Sequence, residues 1–422
     1  MPQNQNSYDA IVIGGGPAGS TASALLADKG RRVVVLEREK FPRYHIGESL
    51  LPFCWFPLQR IGMVEKMNAS DFTKKYSVQF VSTDGQLSIP FYFNTHLDHP
   101  ASQTWQVLRS EFDQMLLDNA REKGAEVFER MTARELIRSG GTVVGVKAVD
   151  ADGAAHEFHA PITIDATGRD AFAVSRNGWK ARDPYLNKIA VWSYWEGAMR
   201  DPGIDEGATT VAFVPEKGWF WYIPLAGNIV SVGVVAEKDY LYSDSRDLEA
   251  ILRREIAKNP WIERHVAMGK QTGPYHVTAE FSYRARYSAS DGLVLAGDAF
   301  GFLDPVFSSG VYLALRSGEL VADTIDEALA AGDVSATRFT AYSATMRQEI
   351  EAMRRLVYAF YSHSFSFKEF CTDFPNHRGQ VTDCLIGNLS RDFTQMFSDL
   401  TKYATVPPPV PHGQPFVAVA GD

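Results

Sequence analysis

The chain has 422 residues, 45% of them apolar, which at about 150 residues per domain predicts two to three compact units able to bury a core without disulfide or metal staples. Subtracting 51 Asp and Glu from 42 Lys and Arg leaves a net charge of −9. That balance argues against a nucleic-acid surface, which needs excess cation to displace counterions.

The first residues, MPQNQNSYDA, lack the basic and apolar regions of a secretory leader. Tyr8 to Ile13 (YDAIVI) reads as a strand running into Gly14-Gly15-Gly16-Pro17-Ala18-Gly19 and then an alanine-rich helix ending near Gly30. In that unit Gly14 permits a tight turn, Gly16 lets backbone approach a pyrophosphate, and Gly19 lets helix and strand pack closely. The helix N-terminus supplies free N–H groups to an anion. A second strand, Arg32 to Leu36, ends in Glu37, placed to accept hydrogen bonds from a ribose. Tyr76 to Phe93 and Lys188 to Val235 alternate apolar and polar residues and are broken by Asp84-Gly85, Pro215 and Gly227-Asn228, which predicts antiparallel strands of one sheet. Arg109 precedes a helix predicted over Ser110 to Lys123 with Ser110 as N-cap.

Ile162 to Arg169 reads as another strand with a small-residue turn, and Leu293 to Ala299 as a third with Asp298 at its end. Three such segments suit an extended ligand that passes several crossovers of one sheet. In the run Trp219-Phe220-Trp221-Tyr222, residues two apart share a strand face, so both indoles can wall a cavity. Ser308-Ser309-Gly310 opens a long helix whose exposed N–H groups suit an anion. A following helix from near Ala336 to Tyr361 carries Phe339, Tyr342, Met346, Ile350 and Met353 at core spacing. Past Tyr361 come two short helical stretches, and five prolines and two glycines from Pro407 to Asp422 predict an extended or disordered tail. Cys54, Cys371 and Cys384 are too dispersed for a zinc site or redox pair and fit a reducing cytoplasm. No apolar run is long enough to cross a membrane.

The glycine turn, Glu37, Arg109, and the segments ending at Arg169 and Ala299 resemble the FAD-binding motifs of the flavoprotein monooxygenase superfamily. Within it, Trp219-Phe220-Trp221-Tyr222-Ile223-Pro224 resembles the WxWxIP pattern of flavin-dependent halogenases, though prenyl reductases carry a similar segment. Phe72-Thr73-Lys74-Lys75-Tyr76 resembles the segment bearing the active-site lysine of the phenol and pyrrole halogenases, and Phe302 to Gly310 (FLDPVFSSG) resembles their FxxPxxSxG segment. The resemblance covers about residues 7 to 360.

It implies an α/β protein with a Rossmann-type FAD-binding domain, an antiparallel β-sheet substrate domain and a short α-helical C-terminal module. The expected division is 1–75, 108–187 and 274–361 for FAD, 76–107 and 188–273 for the sheet, and 362–422 for the helical module and tail. The implied FAD ligands are Gly14, Gly16, Pro17, Ala18, Gly19, Glu37, Arg109, Asp298, Pro305 and Gly310. Ser309 and Gly310 would hold chloride or bromide, while Trp219, Trp221 and Phe307 would wall the substrate pocket. Lys75 would be catalytic, guiding hypohalous acid formed through a flavin hydroperoxide. Phe307 stands where tryptophan halogenases have a glutamate, which favours electron-rich phenols or pyrroles, free or carrier-tethered. The implied reaction is FADH2- and O2-dependent halogenation, with a separate flavin reductase as partner because no second glycine fingerprint follows the first. An oxygen-inserting monooxygenase and a prenyl reductase are the competing activities.

Overall fold

The computed structural model describes residues 7–215, 218–279, 282–362, 365–409 and 411–417. Strand Ala10–Ile13 is wholly buried and lies near the middle of a seven-stranded sheet. Its neighbours are Val33–Glu37 on one side and Ile162–Asp165 on the other, both parallel to it. Such double burial suits the continuous β-branched runs these segments contain. Glu126–Glu129 and Leu293–Leu295 extend the sheet outward, and Tyr287–Ser290 adds an antiparallel strand. Helix Pro17–Asp28 crosses from the first strand to the second. Its approach depends on Gly19, where a Cβ would sit 1.9 Å from the Gly14 carbonyl oxygen.

The tail differs from expectation. Gln414–Pro415 pairs with Tyr287–Ser290 as the outermost strand of this sheet, so residues 411–417 are not disordered. The Gly413 and Phe416 N–H groups donate to the Ala285 and Ala289 carbonyls, and the Phe416 ring lies 5.0 Å from Tyr287. Edge pairing and the Phe416–Tyr287 ring contact outweigh the proline-rich composition over this stretch. Residues 407–409 are irregular chain, with Arg354 donating to the Pro407 carbonyl at 2.8 Å, while residues 410 and 418–422, like residues 1–6, lie outside the described residues.

The second seven-stranded sheet runs Lys270–Ala279, Lys188–Glu196, Ile229–Glu237, Gly218–Leu225, Thr209–Val214, Ser77–Val81, Phe91–Tyr92. One junction departs from the expected antiparallel pattern: Thr209–Val214 and Ser77–Val81 are parallel, with Thr209 opposite Val78. The long chain excursion between them permits that direction, which no tight hairpin could. The edge strand also carries this sheet past residue 273, to Ala279. Alternation gives the sheet two unlike faces. Trp219, Trp221 and Ile223 point toward the main core, whereas Phe220 and Tyr222 join a separate apolar cluster under helices Leu248–Ile256 and Pro260–Val266.

Helix Arg109–Glu122 begins one residue earlier than expected, and Ser110 is not its cap. Leu108 occupies that position without a side-chain hydrogen bond, and Arg109 enters the first turn because its guanidinium is held by Asp113 one turn on. Thr340–Tyr361 is a helix preceded by a 3-10 turn at Ala336–Phe339; the expected apolar positions Tyr342, Met346, Ile350 and Met353 of the helix and Phe339 of the turn are buried. Among the described residues no helix is long and apolar enough to cross a membrane.

Candidate active site

The two large sheets face each other across a cavity of about 810 Å³. Its size lies within the range of sites that bury small ligands and cofactors. At one end Gly14, Gly16, Pro17 and Ala18 line it where helix Pro17–Asp28 begins. Glu37 lies beside this turn, its Oε2 accepting the Gly15 N–H at 2.7 Å and its Oε1 the Glu39 N–H at 2.8 Å. The carboxylate therefore braces the glycine turn from the neighbouring strand end. It also lines the cavity, where a ribose hydroxyl could reach it.

A buried ion cluster forms the next part of the wall. Arg109 donates through Nε and Nη2 to both oxygens of Asp113, at 2.8 and 2.9 Å, and through Nη1 to the Ile46 carbonyl at 2.8 Å. Arg43 Nη1 lies 2.8 Å from the same carboxylate. Burial pushes the Asp113 carboxyl up, but Arg109 and Arg43 outweigh it and hold the group ionised. Two guanidiniums against one carboxylate leave one positive charge beside the glycine turn, suited to a pyrophosphate. His45 is driven down to about 3 by burial and by Arg109, so it lines the cavity as a neutral imidazole.

At the other end stand Trp219, Trp221, Pro305, Ser308 and Gly310. The two indoles lie 6.1 Å apart, Trp221 Nε1 donating to Ser231 at 3.0 Å and Trp219 Nε1 to the Tyr361 hydroxyl at 2.8 Å. Asp298 lines the cavity too, with burial raising its carboxyl to about 6. Helix Ser309–Ala331 starts here after Ser308, whose φ of 56° turns the chain into the first helical residue.

Four expected site residues do not line this cavity. Gly19 lies beneath the glycine turn, and Ser309 is buried in the first helical turn. Phe307 points away, its ring packed edge-on against Phe360 at 5.8 Å and Phe367 at 6.0 Å. Lys75 sits one side chain behind the wall. It ends strand Thr73–Lys75, which pairs with Thr104–Gln106, and is 1% exposed.

Lys75 Nζ donates to Ser49 Oγ at 2.8 Å and to the Leu50 carbonyl at 3.2 Å, and lies 5.5 Å from the Phe93 ring centre. No carboxylate is paired with it among the described residues. Burial therefore lowers its ammonium to about 7, leaving a large neutral fraction at physiological pH. Ser49 does line the cavity, and its hydroxyl also bonds Thr209 at 2.8 Å, so a polar partition one hydroxyl thick separates cavity from amine.

Sequence reasoning missed Arg43, His45, Glu48, Ser49 and Trp192, all on the cavity wall. The first four fall in Arg43-Tyr44-His45-Ile46-Gly47-Glu48-Ser49, a polar stretch wedged between apolar ones, which was the available signal. Trp192 lies in strand Lys188–Glu196, directly across from Gly233.

The glycine cradle, the acid on the second strand, the guanidinium cluster and the indole-walled far end are the donor set an extended flavin dinucleotide requires, so the residues fit FAD. The family described as tryptophan halogenase matches residues 9–98 and 89–366. The chain is 30% identical to a 1H-pyrrole-2-carbonyl-[peptidyl-carrier protein] chlorinase of Pseudomonas fluorescens, over 92% of this chain and 90% of that one. It is 34% identical to the corresponding brominase of Pseudoalteromonas luteoviolacea, over 80% and 81%. Among solved structures, the flavin-dependent brominase Bmp2 superposes with a TM-score of 0.85 at 28% identity, covering 94% of this chain and 98% of that one. The myxobacterial chondrochloren halogenase CndH superposes with a TM-score of 0.80 at 31% identity, covering 94% and 96%. With similarity of this extent and a cavity fitted to the cofactor, the chain belongs to the flavin-dependent halogenases.

Proposed function

We propose that this enzyme chlorinates or brominates a pyrrole ring carried on a peptidyl carrier protein. The observation that carries the reading is Lys75, a buried amine with no acidic partner, one hydroxyl behind the cavity that fits FAD. Similarity to two carrier-bound pyrrole halogenases supports the choice of substrate. Phe307, buried away from the cavity, supplies no carboxylate there; a pyrrole stabilises its own cationic intermediate through its nitrogen and needs less help.

When bound, the cofactor reduces O2 and oxidises the halide. The protein's part is to hold the pieces. Gly14 and Gly16 would let backbone approach the pyrophosphate, Glu37 would hold the ribose, and the Arg43–Arg109 pair would balance the phosphate charge. The turn at Ser308 to Gly310 gives the halide backbone N–H groups at a helix start. Hypohalous acid leaving the cavity passes Ser49 and Thr209 and reaches the Lys75 amine. There R–NH2 and HOX give R–NHX and water, and R–NHX with the ring C–H gives R–NH2 and the aryl halide; a hydrogen-bonded HOX would transfer halogen with the same balance. Either way the amine replaces a free, indiscriminate oxidant with one fixed in space.

FADH2 would come from a separate reductase, in a reducing compartment consistent with the free thiols of Cys54, Cys371 and Cys384. The test is incubation with a flavin reductase, a nicotinamide cofactor, bromide or chloride, and pyrrolyl carrier protein. Mass spectrometry should show halogen added to the carrier-bound ring and none without halide. A hydroxylated ring, or halogenation of free phenols with the carrier substrate untouched, would contradict the reading.

A further inference from the structure

The overall halogenation consumes a proton from solvent. FADH2, O2, a halide ion, one proton and Ar–H give FAD, Ar–X and two waters. This proton must reach the inner part of a cavity walled by both sheets. Glu48 is suited to deliver it. The residue is 2% exposed and lines the cavity, and its Oε2 has no hydrogen-bond partner among the described residues. Its other oxygen, Oε1, accepts from the Tyr194 hydroxyl at 2.9 Å. Tyr194 in turn lies 2.9 Å from the hydroxyl of Tyr44, a residue that also lines the cavity and is 51% exposed.

Direction is set by Glu48, whose Oε1 takes the single Tyr194 proton, so Tyr194 accepts from Tyr44; the Trp192 Nε1–H donates to the Tyr44 oxygen at 2.7 Å. Tyr44 thus directs its own proton to Tyr194, which directs its proton to Glu48, while Trp192 occupies a lone pair of Tyr44. His276 stacks on Tyr44 at 4.5 Å and on Trp192 at 5.1 Å, fixing both rings.

We propose that Glu48, Tyr194 and Tyr44 form a proton relay from solvent into the flavin cavity, with Glu48 as its inner donor. Glu48 Oε2–H gives its proton to the reacting species; Oε1 takes the Tyr194 proton, Tyr194 takes that of Tyr44, Tyr44 takes one proton from solvent, and rotation of the carboxyl returns the proton to the Oε2 position. No group changes charge at the end of a cycle. This role in turnover rests on the proposed halogenation, whereas the relay's existence does not.

The charged and titratable neighbours are consistent with a carboxyl that holds its proton near neutrality. Burial raises Glu48 to about 7, against the Ser231 and Tyr194 hydroxyls and the Arg109 charge, which pull it down. Tyr44 and Tyr194 are both raised, chiefly by burial, so they pass protons as neutral hydroxyls, and burial keeps His276 toward its neutral form.

The test begins with infrared titration of the full chain with and without bound FAD. A protonated-carboxyl stretch with a midpoint of about 7, separate from those of Asp298 and Asp304 at about 6, should be present in the wild type and vanish in Glu48→Gln. Tyr194→Phe removes a donor to the charged form and should move the midpoint upward. In turnover, Glu48→Gln should slow halogenation about 100-fold at unchanged FAD affinity, and Glu48→Asp should recover part of it. Tyr44→Phe should keep the infrared midpoint while slowing turnover and enlarging the solvent deuterium effect. The relay is overturned if the band persists in Glu48→Gln, or if both tyrosine variants turn over with the wild-type pH profile and isotope effect. Loss of the band without any halogenation by the wild type would contradict the proposed function and leave the buried donor standing.

Discussion

Lys75 concentrates the energetic conflict of this site in one side chain. Its amine is lowered from 10.5 to about 7 by burial, so at pH 7 and below the fold holds a charge that the unfolded chain would hydrate at less cost. The folded state binds fewer protons than the unfolded one between pH 7 and 10.5, so this group's contribution to stability rises with pH across that window and is lost as pH falls to 7. The full shift corresponds to about 5 kcal/mol. Lys75→Met should therefore stabilise the protein by a few kcal/mol at pH 6, about 3 to 5, with the gain shrinking toward pH 10, as read by urea unfolding at both pH values. A gain independent of pH would assign it to packing alone. Only part of this was legible in the sequence. The Phe-x-x-Lys segment singled out Lys75, but its separation from the cavity by Ser49 depends on pairing with Thr104–Gln106, residues about 30 positions away that no local spacing reveals.

At the scale of elements, the strand Gly218–Leu225 shows why alternation was readable. A period of two sends Trp219 and Trp221 to one face and Phe220 and Tyr222 to the other, whatever the strand's neighbours. What it does not encode is the residue across from it. Gly233 lies opposite both Trp221 and Trp192, and a Cβ there would come within 2.2 Å of the Trp221 ring and 2.5 Å of Trp192 Cβ. Gly233→Ala should cost about 1 to 3 kcal/mol and tilt an indole into the cavity. FAD affinity, measured by quenching of flavin fluorescence, should fall; unchanged affinity would show that the indoles can yield elsewhere. The start of Arg109–Glu122 is a reverse case. A serine in the right place suggested a cap, but the Arg109–Asp113 pair, one turn apart, drew the helix back by a residue.

At the scale of the whole molecule, a net charge of −9 coexists with three buried acids held back from ionising, Glu48 and Asp298 on the cavity wall and Asp304 off it. Burial raises Glu48 to about 7 and both Asp298 and Asp304 to about 6, so these three groups bind more protons folded than unfolded from about pH 4 to 7, outweighing His45, which is lowered to about 3 and binds fewer. Their contribution to stability is fully present below their ordinary pKa values and is lost as pH rises through the raised ones. The cofactor-free protein should accordingly show a lower Tm at pH 7 than at pH 5, checked by calorimetry. The tail acts at this scale too, since its proline content spoke of disorder while pairing with a distant strand and packing on Tyr287 ordered residues 411–417. Truncation after Pro409 should cost about 1 to 3 kcal/mol, measured by chemical denaturation, through the lost edge strand. The central claim is that one cavity handles flavin and oxygen while a buried amine behind it handles halogen transfer. It is tested most directly with Lys75→Met in a single turnover on pyrrolyl carrier protein, following flavin reoxidation by absorbance and product by mass. The account predicts reoxidation at the wild-type rate with no halogenated ring; halogenated product at the wild-type level would contradict it.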